Sequence, residues 1–145
     1  MLTGKFAIFK EEQSFEFTRG DNLSDLISRN KVPDAPGVYI FVVKDVVTYV
    51  GKAGTLKSDG TFKGQKLRRR IGNRQNGQRR EVFFKTELKK GIDAIRVYWH
   101  QTCQIDLKTG NISDDGDIPA KVEADLLSDY YESHNKRLPL HNKQF

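Results

Sequence analysis

The feature that most constrains the fold is a pair of apolar runs separated by two polar residues. Val38–Val43 contains only aliphatic and aromatic residues, Lys44-Asp45 interrupts the run, and Val46–Val50 resumes it up to Gly51. β-branched and aromatic residues favour strands, and a short polar break between two such runs favours a tight turn. The sequence therefore predicts an antiparallel β-hairpin whose first strand, apolar on both faces, lies at the centre of a sheet.

The register of this hairpin depends on the length of its loop. A two-residue loop at Lys44-Asp45 pairs Tyr39 with Val50 and places Tyr39 and Tyr49 on opposite faces of the sheet. A three-residue loop places the two tyrosines side by side. The sequence leaves this choice open.

The N-terminal third carries a second hairpin pattern and a helix pattern. Lys5–Lys10 and Ser14–Thr18 are strand-like runs around a polar break, and together they predict a hairpin. Asp21 is positioned to cap a helix that presents Leu23, Leu26 and Ile27 on one face and ends near Asn30.

Periodicity and turn residues predict the remaining elements. They are an exposed loop or flap over Thr55–Lys66, a short basic helix over Leu67–Arg74, a helix over Glu81–Lys90, a third strand over Ile92–His100, and a helix from Pro119 to about Asn135.

These elements predict an α/β fold of the α+β type. Its core is a small central antiparallel sheet of three main strands flanked by helices, with the N-terminal hairpin and helix appended. A chain of 145 residues has room for one compact domain and a small appendage. We therefore expect residues 1–33 to form an N-terminal extension and residues 34–145 to form the main domain.

Composition excludes several classes of protein. No apolar run approaches the ~20 residues that a membrane helix needs, and the N-terminus lacks the apolar core of a signal peptide. We therefore expect a cytoplasmic location and no membrane partner. Cys103 is the only cysteine, which excludes an internal disulfide and a cysteine zinc cage. The three histidines are too scattered for a zinc site and are expected at the surface or in packing.

Positive charge is concentrated in one segment of the chain. The net charge is +6, but Lys63–Lys90 alone has eleven basic residues against two acidic ones. The rest of the chain is therefore close to neutral. This distribution is typical of a face that binds a polyanion, most obviously a nucleic acid, although a solvated helix face gives the same pattern.

Glu123 is the anomalous residue of the last helix. Val122, Leu126, Leu127 and Tyr130 form one apolar stripe at helical spacing, and Glu123 projects from the middle of it. An ionised carboxylate turned toward a core is costly unless it meets a cation. Three interpretations remain: a salt bridge to an arginine, a divalent-metal ligand, or a placement at the edge of the helix.

Five blocks of the sequence, in order, resemble the GIY-YIG nuclease superfamily. They are Gly37-Val38-Tyr39, Tyr49-Val50-Gly51 followed by Lys52, Leu67–Ile71, Glu123 with Leu126-Leu127, and Pro139 with Asn142. The resemblance covers about Pro36 to Asn142 and differs by valine for isoleucine in both tripeptides. It implies that residues 34–145 form a catalytic domain with a three-stranded antiparallel sheet. The implied activity is hydrolysis of a nucleic-acid phosphodiester with one divalent ion.

The resemblance also implies roles for individual residues. Glu123 resembles the glutamate that holds the metal, which we expect to be Mg²⁺ or Mn²⁺, since hard oxygen ligands suit such ions. Tyr39 and Tyr49 resemble the paired active-site tyrosines, one of which would activate or orient water. Arg70 resembles the arginine that contacts the phosphate, and Lys52 the lysine of some branches. Gly37, Gly51 and Asn142 correspond to supporting positions.

Other basic residues of the cationic segment are expected to contact the nucleic-acid backbone. These are Lys66, Arg68, Arg69, Arg74, Arg79 and Arg80. Two departures from the family pattern stand out: Thr55–Lys66 looks like an insertion, and Arg74 occupies a position where some branches carry a histidine or tyrosine. Without the resemblance, tyrosines in apolar strands are more often ordinary packing residues.

The resulting hypothesis is a metal-dependent endonuclease that hydrolyses DNA, without an organic cofactor. The alternatives are a nucleic-acid-binding module on the same fold that does not cleave, and a nuclease directed at RNA, because a fold does not establish an activity. Repair, restriction and mobile-element roles stay open, as does the oligomeric state.

Overall fold

The computed structural model describes residues 2–145, which form a mixed α+β fold with an antiparallel sheet flanked by helices. The strands are β1 (Ser14–Thr18), β2 (Gly37–Val43), β3 (Val46–Ala53), β4 (Thr55–Leu56), β5 (Phe62–Lys63), β6 (Arg74–Gln75), β7 (Gln78–Arg79) and β8 (Ala94–Gln101). The helices are α1 (Leu23–Arg29), α2 (Leu67–Ile71), α3 (Arg80–Leu88) and α4 (Pro119–Ser133).

The main sheet has four strands in the order β1-β8-β2-β3, all antiparallel. The three predicted main strands are therefore joined by a fourth, because β1 pairs along its whole length with β8. The predicted fold class is confirmed. Strand β2 lies inside the sheet, and all its residues from Gly37 to Val42 are buried, as its unbroken apolar run indicated.

The predicted N-terminal hairpin is wrong in its first arm. Gly4–Ile8 forms a 3₁₀ helix, and a second 3₁₀ turn covers Glu11–Gln13. Lys5–Lys10 has no partner strand because Ser14–Thr18 pairs with β8 instead. The side chains of β1 and α1 also lie in the same apolar core as those of β2, so the predicted extension contributes to the core of the main domain.

The cap of α1 is Asn22 rather than Asp21. The Asn22 side chain accepts a hydrogen bond from the Asp25 backbone N–H at 3.0 Å. Asp21 instead accepts hydrogen bonds from the backbone N–H and the hydroxyl of Thr18, which hold the preceding turn. The two residues are adjacent, and both are good N-cap types, so sequence alone does not separate them.

The register of the β2–β3 hairpin combines features of both predicted alternatives. Lys44 and Asp45 form a two-residue turn with φ of 50° and 65°, as a type I′ turn requires. One extra residue in β3, Thr48, then shifts the pairing from Val42↔Val47 to Phe41↔Tyr49. This β-bulge moves the register by one, so Tyr39 and Tyr49 lie on the same face of the sheet despite the short loop.

The sheet separates two apolar layers. One face packs against α1, α2 and α3 and includes Tyr39, Phe41 and Trp99. The other face packs against α4 and the first 3₁₀ helix and includes Val38, Ile40 and Val50. Since alternate strand residues point to opposite faces, β2, β3 and β8 contribute to both layers, whereas β1 contributes Phe15 and Phe17 to the first layer only.

The predicted flap over Thr55–Lys66 is an exposed hairpin made of β4 and β5. Its outer strand contacts the turn-rich segment before α4, through a bridge between Thr61 and Asn111 and a hydrogen bond from Phe62 N–H to the Gly110 carbonyl. A second small hairpin, β6–β7, turns at Asn76-Gly77, both with positive φ. It lies between the short helix α2 and helix α3.

Candidate active site at the edge of strand β3

The candidate site lies at the outer edge of β3, where the two layers of the protein meet. Tyr49 and Gly51 point to the face covered by α2 and α3, whereas Val50 and Lys52 point to the face covered by α4. A cleft of about 510 Å³ opens at this edge. It is lined by Tyr49, Val50, Gln75, Asn76, Glu123, Leu127 and residues His141–Phe145.

Gly51 is the position where the two tyrosine rings approach the backbone. A Cβ atom at Gly51 would lie 2.4 Å from Cζ of Tyr39, 2.6 Å from its hydroxyl oxygen and 2.8 Å from Cε2 of Tyr49. No side chain other than hydrogen fits there. The ring centroids of Tyr39 and Tyr49 are 6.1 Å apart, so the glycine allows the pair to share one space beside β3.

The two tyrosines differ in access to the cleft. Tyr49 is half-buried and lines the cleft, whereas Tyr39 is 0% exposed and lies beneath it. The sequence leaves open which tyrosine acts on water. In this geometry only Tyr49 can touch a group in the cleft directly, and Tyr39 can act only through a neighbour.

The Tyr49 hydroxyl is held in its neutral form. Burial and the adjacent Tyr39 raise the pKa of Tyr49 to about 12, although the positive charges of Arg80 and Arg70 act in the opposite direction. At neutral pH Tyr49 is therefore a hydrogen-bond donor toward the cleft, and its phenolate is a rare form.

Glu123 reaches the same cleft from the other layer, on α4. Its side chain is half-buried, and burial raises the pKa of its carboxyl group, while Lys52 and Arg70 partly offset this effect. Among residues 2–145, no lysine, arginine or histidine lies within 4 Å of the Glu123 carboxylate. The salt-bridge interpretation is therefore wrong at contact distance, and the carboxylate is left facing the cleft with two cations nearby.

Lys52 and Arg70 approach this carboxylate from different elements. Lys52 belongs to β3, and its Nζ atom donates to the Thr55 hydroxyl at 3.4 Å. Arg70 is exposed in the last turn of α2. The charges of both act on Glu123, and that of Arg70 also acts on Tyr49. Two of the predicted catalytic residues, Tyr49 and Glu123, therefore line one cleft. Lys52 and Arg70 are close enough for their charges to act on Glu123, and Tyr39 lies beneath.

Asn142 closes the free edge of β3 beside the cleft. Its side-chain amide accepts from the Val50 N–H at 2.8 Å and donates to the Val50 carbonyl at 2.9 Å. The bulged Thr48 carbonyl accepts from the His141 N–H at 2.8 Å. The C-terminal segment therefore pairs with the strand residue that lies between Tyr49 and Gly51.

Gly37 has a comparable packing role at the start of β2. A Cβ atom there would lie 2.3 Å from the His100 carbonyl oxygen and 2.6 Å from Cδ1 of Leu67. Gly37 therefore allows α2 to lie close to the sheet, and this position sets where Arg70 emerges.

Most of the predicted backbone contacts form an exposed basic face next to the cleft. Arg68, Arg69, Arg74 and Arg79 are exposed, and Lys66 is half-buried at the start of α2. One donor of the Arg68 guanidinium is already used within the protein, since its Nε atom donates to the Val32 carbonyl at 2.9 Å. Arg74 and Arg79 are directly opposite each other in the β6–β7 hairpin. Like charges in this position repel, and an anion placed near both relieves the repulsion.

Arg80 is the exception, and its predicted role as a surface contact is wrong. It is 1% exposed, because the first turn of α3 directs its side chain into the core below Tyr39. The spacing of α3 contains the signal that was missed. The buried residues of this helix are Arg80, Phe83, Phe84, Glu87 and Leu88. These residues have the same helical spacing as the apolar stripe of α4 from which Glu123 projects. A charged residue at such a position faces the core, so the spacing of α3 identifies Arg80 as an inward-facing charge.

Gln75 is a site residue that the sequence did not reveal. It is 5% exposed and lines the cleft, and its Oε1 atom is buried without a hydrogen-bond partner in residues 2–145. A buried acceptor of this kind is costly unless it receives a hydrogen bond. Gln75 therefore suits a ligand or water that offers a donor at this wall of the cleft.

The donor set of the cleft fits one divalent ion of the magnesium type. Mg²⁺ keeps several waters and is held by one or two carboxylates together with substrate phosphates. Glu123 supplies one half-buried carboxylate on the cleft wall. Across residues 2–145 there is no group of three or more His, Cys, Asp or Glu side chains arranged around a metal position. The arrangement therefore differs from a protein cage that supplies every ligand.

The histidines and the cysteine have packing roles. His141 Nε2 is 2.9 Å from a carboxylate oxygen of the buried Glu87, and its ring packs edge-on against Phe83. His134 stacks on Tyr130 with ring centroids 3.7 Å apart, and Cys103 is buried.

Searches beyond this chain returned nothing similar: no protein-family model, no curated protein and no solved structure matches it. In the part of the chain that the structure describes, no helix has both the length and the apolarity needed to cross a membrane.

Proposed function

We propose that the protein is a metal-dependent endonuclease of the GIY-YIG type that hydrolyses phosphodiester bonds in DNA. The observation that carries this proposal is the convergence at the edge of β3. The half-buried Glu123 carboxylate and the neutral Tyr49 hydroxyl, from two distant segments, line one cleft, and the positive charge of Arg70, from a third segment, acts on both groups. These groups are of the types that hold a cation, neutralise a phosphate and orient a reacting oxygen.

The reaction adds water across a phosphodiester. The water oxygen forms a bond to phosphorus while the bond from phosphorus to the leaving oxygen breaks. One proton leaves the water and one is taken up by the leaving oxygen, which gives a phosphate monoester and a free hydroxyl. Negative charge grows on the phosphoryl oxygens along this path, so fixed positive charge close to them lowers the barrier.

Each residue of the cleft has a defined task in this scheme. Arg70 offers a planar guanidinium that grips two phosphate oxygens, and Tyr49 donates a hydrogen bond to a phosphate oxygen or to the attacking water. Glu123 would hold the divalent ion. When bound, that ion supplies positive charge against the phosphoryl group and the leaving oxygen. Lys52 favours the ionised form of Glu123, because its charge lowers the pKa of this carboxyl group and partly offsets the effect of burial.

The basic face next to the cleft supports a nucleic-acid substrate. Its arginines lie on α2 and on the β6–β7 hairpin, which also form part of the surroundings of Arg70 and Gln75. Contacts of this kind bind the phosphate backbone and carry no sequence information. A non-cleaving DNA-binding module uses the same face, so it is the second candidate, and a nuclease directed at RNA is the third.

Replacement of Glu123 tests the proposal directly. With Mg²⁺ or Mn²⁺, we expect the wild-type protein to nick plasmid DNA and the isosteric variant Glu123→Gln to lose at least about 100-fold in rate, because one electrostatic contact to the transition state is worth this much. Arg70→Ala is expected to lose a similar factor.

The matched control is Asp125→Asn, an acidic residue on the same helix that pairs with Lys121 at the surface. It is expected to cleave as the wild type does. DNA binding without nicking by the wild type, over nicked, branched, flapped and plain duplexes, would support the binding module. Cleavage of structured RNA and not of DNA would support the RNA-directed nuclease.

A further inference from the structure

We propose that Arg80 is a positioning residue of this site: its buried guanidinium is the counter-ion of the Tyr39–Tyr49 pair and stabilises negative charge on it. This inference rests on the proposed function, since such a charge is useful where a proton must be taken from water. It assigns a task to a residue that is not part of the cleft lining.

The burial of Arg80 and its hydrogen bonds fix the position of the cation. Arg80 is 1% exposed. Its Nη1 atom donates to the carbonyls of Arg70 and Ile71, at 3.5 and 3.2 Å, and so caps the C-terminal end of α2. Its Nη2 atom donates to the Arg74 carbonyl at 3.2 Å and to the Tyr39 hydroxyl oxygen at 3.3 Å. The guanidinium is therefore tied to the two elements that flank the site.

The charge of Arg80 has no carboxylate partner. Among residues 2–145, no Asp or Glu oxygen lies within 4 Å of its guanidinium nitrogens, and its Nε atom has no hydrogen-bond partner. Carbonyl dipoles and aromatic faces compensate only part of the cost of burying a cation. Within the same residues, the only side-chain oxygen that it binds is the Tyr39 hydroxyl, which can become negative by losing its proton.

The three aromatic rings around the guanidinium are those of the site itself. The Cζ atom of Arg80 lies 5.4 Å from the ring centroid of Tyr39, 5.7 Å from that of Tyr49 and 5.0 Å from that of Phe41. Both rings of the pair therefore face the same cation, and negative charge on either oxygen is stabilised by it.

The other charged groups near the pair come from α2, α4 and β3. Arg70 from α2 acts on Tyr49 in the same direction as Arg80, and Glu123 from α4 lines the same cleft with Lys52 beside it. Arg80 differs from Arg70 in being shielded from solvent. Its effect on the pair is therefore little screened by salt or water.

A shared charge explains how a neutral Tyr49 can still serve proton transfer. When the pair has lost one proton, the attacking water gives a proton to the Tyr49 oxygen while Tyr49 passes its own proton to the neighbouring Tyr39. The pair then ends neutral with both hydroxyl groups intact. Tyr39, which cannot reach the cleft, returns the proton to solvent through Tyr49 after the products leave.

Titration of fluorinated tyrosines by ¹⁹F NMR tests the proposal. Fluorine on the ring acidifies the phenol and brings its titration into a pH range in which the protein stays folded. The protein has five tyrosines, and the resonances of Tyr39 and Tyr49 are assigned with Tyr39→Phe and Tyr49→Phe. We expect the first proton of the pair to leave at lower pH than the proton of Tyr98. We also expect Arg80→Gln to raise the midpoint of the pair by about one pH unit or more, and Arg80→Lys to raise it less.

The three remaining tyrosines serve as internal controls of folding, because their resonances stay dispersed only while the fold is intact. Arg79→Met removes an adjacent, exposed arginine and is expected to leave the midpoint of the pair unchanged. The proposal is overturned if Tyr98 titrates before the pair in the wild type, or if Arg80→Gln and Arg80→Lys shift the midpoint equally. A wild-type pair that titrates after Tyr98 overturns the proposal even if no Arg80 variant folds.

These titrations need no DNA and no metal. Loss of the titration difference with intact cleavage would reject the role of Arg80 alone. Absence of cleavage with an intact titration difference would reject the nuclease and leave Arg80 as the counter-ion of a tyrosine pair.

Discussion

Gly51 shows how a single hydrogen atom in place of a side chain determines the geometry of the site. Two aromatic rings cross the strand at this residue, each within 2.8 Å of where a Cβ atom would be. Phe41 and Arg80 also pack against the buried Tyr39 ring, which leaves that ring little room to move away. The glycine is required by close approach, and its φ is not in the left-handed region.

We therefore expect Gly51→Ala to destabilise the protein by about 1–3 kcal/mol, as overpacking of a filled core does. The matched control is Gly72→Ala, whose Cβ would meet only the flexible end of Ile27 at 3.1 Å and the Arg69 carbonyl at an ordinary contact distance of 3.9 Å. Urea denaturation of both variants measures the difference. Equal stability of the two variants would show that the rings can rearrange without cost.

Glu123 leads to a prediction about pH. Burial raises the pKa of its carboxyl group, so the carboxylate needed for metal binding is lost at a higher pH than for an ordinary glutamate. We expect the acid limb of metal-dependent cleavage to lie above pH 4.5, and Lys52→Met to move it further up, because Lys52 lowers this pKa. Cleavage rates measured from acidic to neutral pH, at a metal concentration far below saturation so that the free carboxyl group titrates, test both expectations. An acid limb below pH 4.5 would contradict burial as the dominant influence on this carboxyl group.

For the same residue, we expect the variant Glu123→Gln, which should lose cleavage activity, to be more stable than the wild type. The pKa of Glu123 is higher in the folded state than its ordinary value of 4.5. The free energy of unfolding therefore falls as pH rises from 4.5 through the raised pKa, because the unfolded state gives up this proton more readily. Glu123→Gln removes this effect, so we expect a higher Tm than that of the wild type at neutral pH. We expect no such gain below about pH 4, where both side chains are neutral. Thermal unfolding at the two pH values provides the measurement.

At the scale of elements, strand β3 is shaped by what pairs with its free edge. Its inner edge pairs with β2, with the bulge at Thr48, and its outer edge is completed by Asn142 and His141. At the outer edge of β3, the side-chain amide of Asn142 makes the two hydrogen bonds that a neighbouring strand would make. The edge is therefore paired without another strand. The C-terminal segment thereby holds both the cleft and the strand that carries Tyr49.

We expect Asn142→Ala to cost about 1–2 kcal/mol, since two hydrogen bonds to the Val50 peptide are lost. Faster hydrogen exchange of the Val50 amide would report the loss locally. Gln144→Ala, an exposed change in the same segment, is the control and is expected to leave this exchange rate as it is in the wild type. An unchanged Val50 amide in Asn142→Ala would contradict the pairing.

Helix α3 looks ordinary in the sequence, and its burial pattern explains why periodicity alone is insufficient there. Its buried stripe includes two charged residues, Arg80 and Glu87, each 5% exposed or less. Glu87 pairs with Lys90 and His141, whereas Arg80 is held by carbonyls and the Tyr39 hydroxyl. Spacing marks both residues as inward-facing. It does not reveal their partners, because most of these belong to other elements of the fold.

At the scale of the whole molecule, charge and cleft lie together. The excess positive charge is in Lys63–Lys90, and this segment supplies α2, the β6–β7 hairpin and α3, which surround the tyrosine pair. The remaining surface is close to neutral overall. We therefore expect a polyanion to be attracted to the side of the molecule where the cleft opens.

We expect DNA affinity to fall about 10-fold or more between roughly 50 and 200 mM salt, because binding releases counterions from the phosphates. The double variant Arg74→Ala, Arg79→Ala is expected to weaken binding and to reduce the slope of log affinity against log salt by about two. The double variant Lys44→Ala, Lys108→Ala removes the same charge from two exposed turns outside the Lys63–Lys90 segment and should leave the slope unchanged. Affinity that barely responds to salt would contradict the electrostatic interface.

The sequence by itself determined the elements whose causes are local. Side-chain type specified the β2–β3 hairpin, helical spacing specified α4 and marked Glu123, and the charge count located the basic segment. Only the tertiary structure decided that Thr48 bulges, that β1 joins the sheet in place of an N-terminal hairpin, and that Arg80 turns inward beneath Tyr39. These outcomes depend on contacts between residues far apart in the chain, where competing pairings differ by the packing of many atoms.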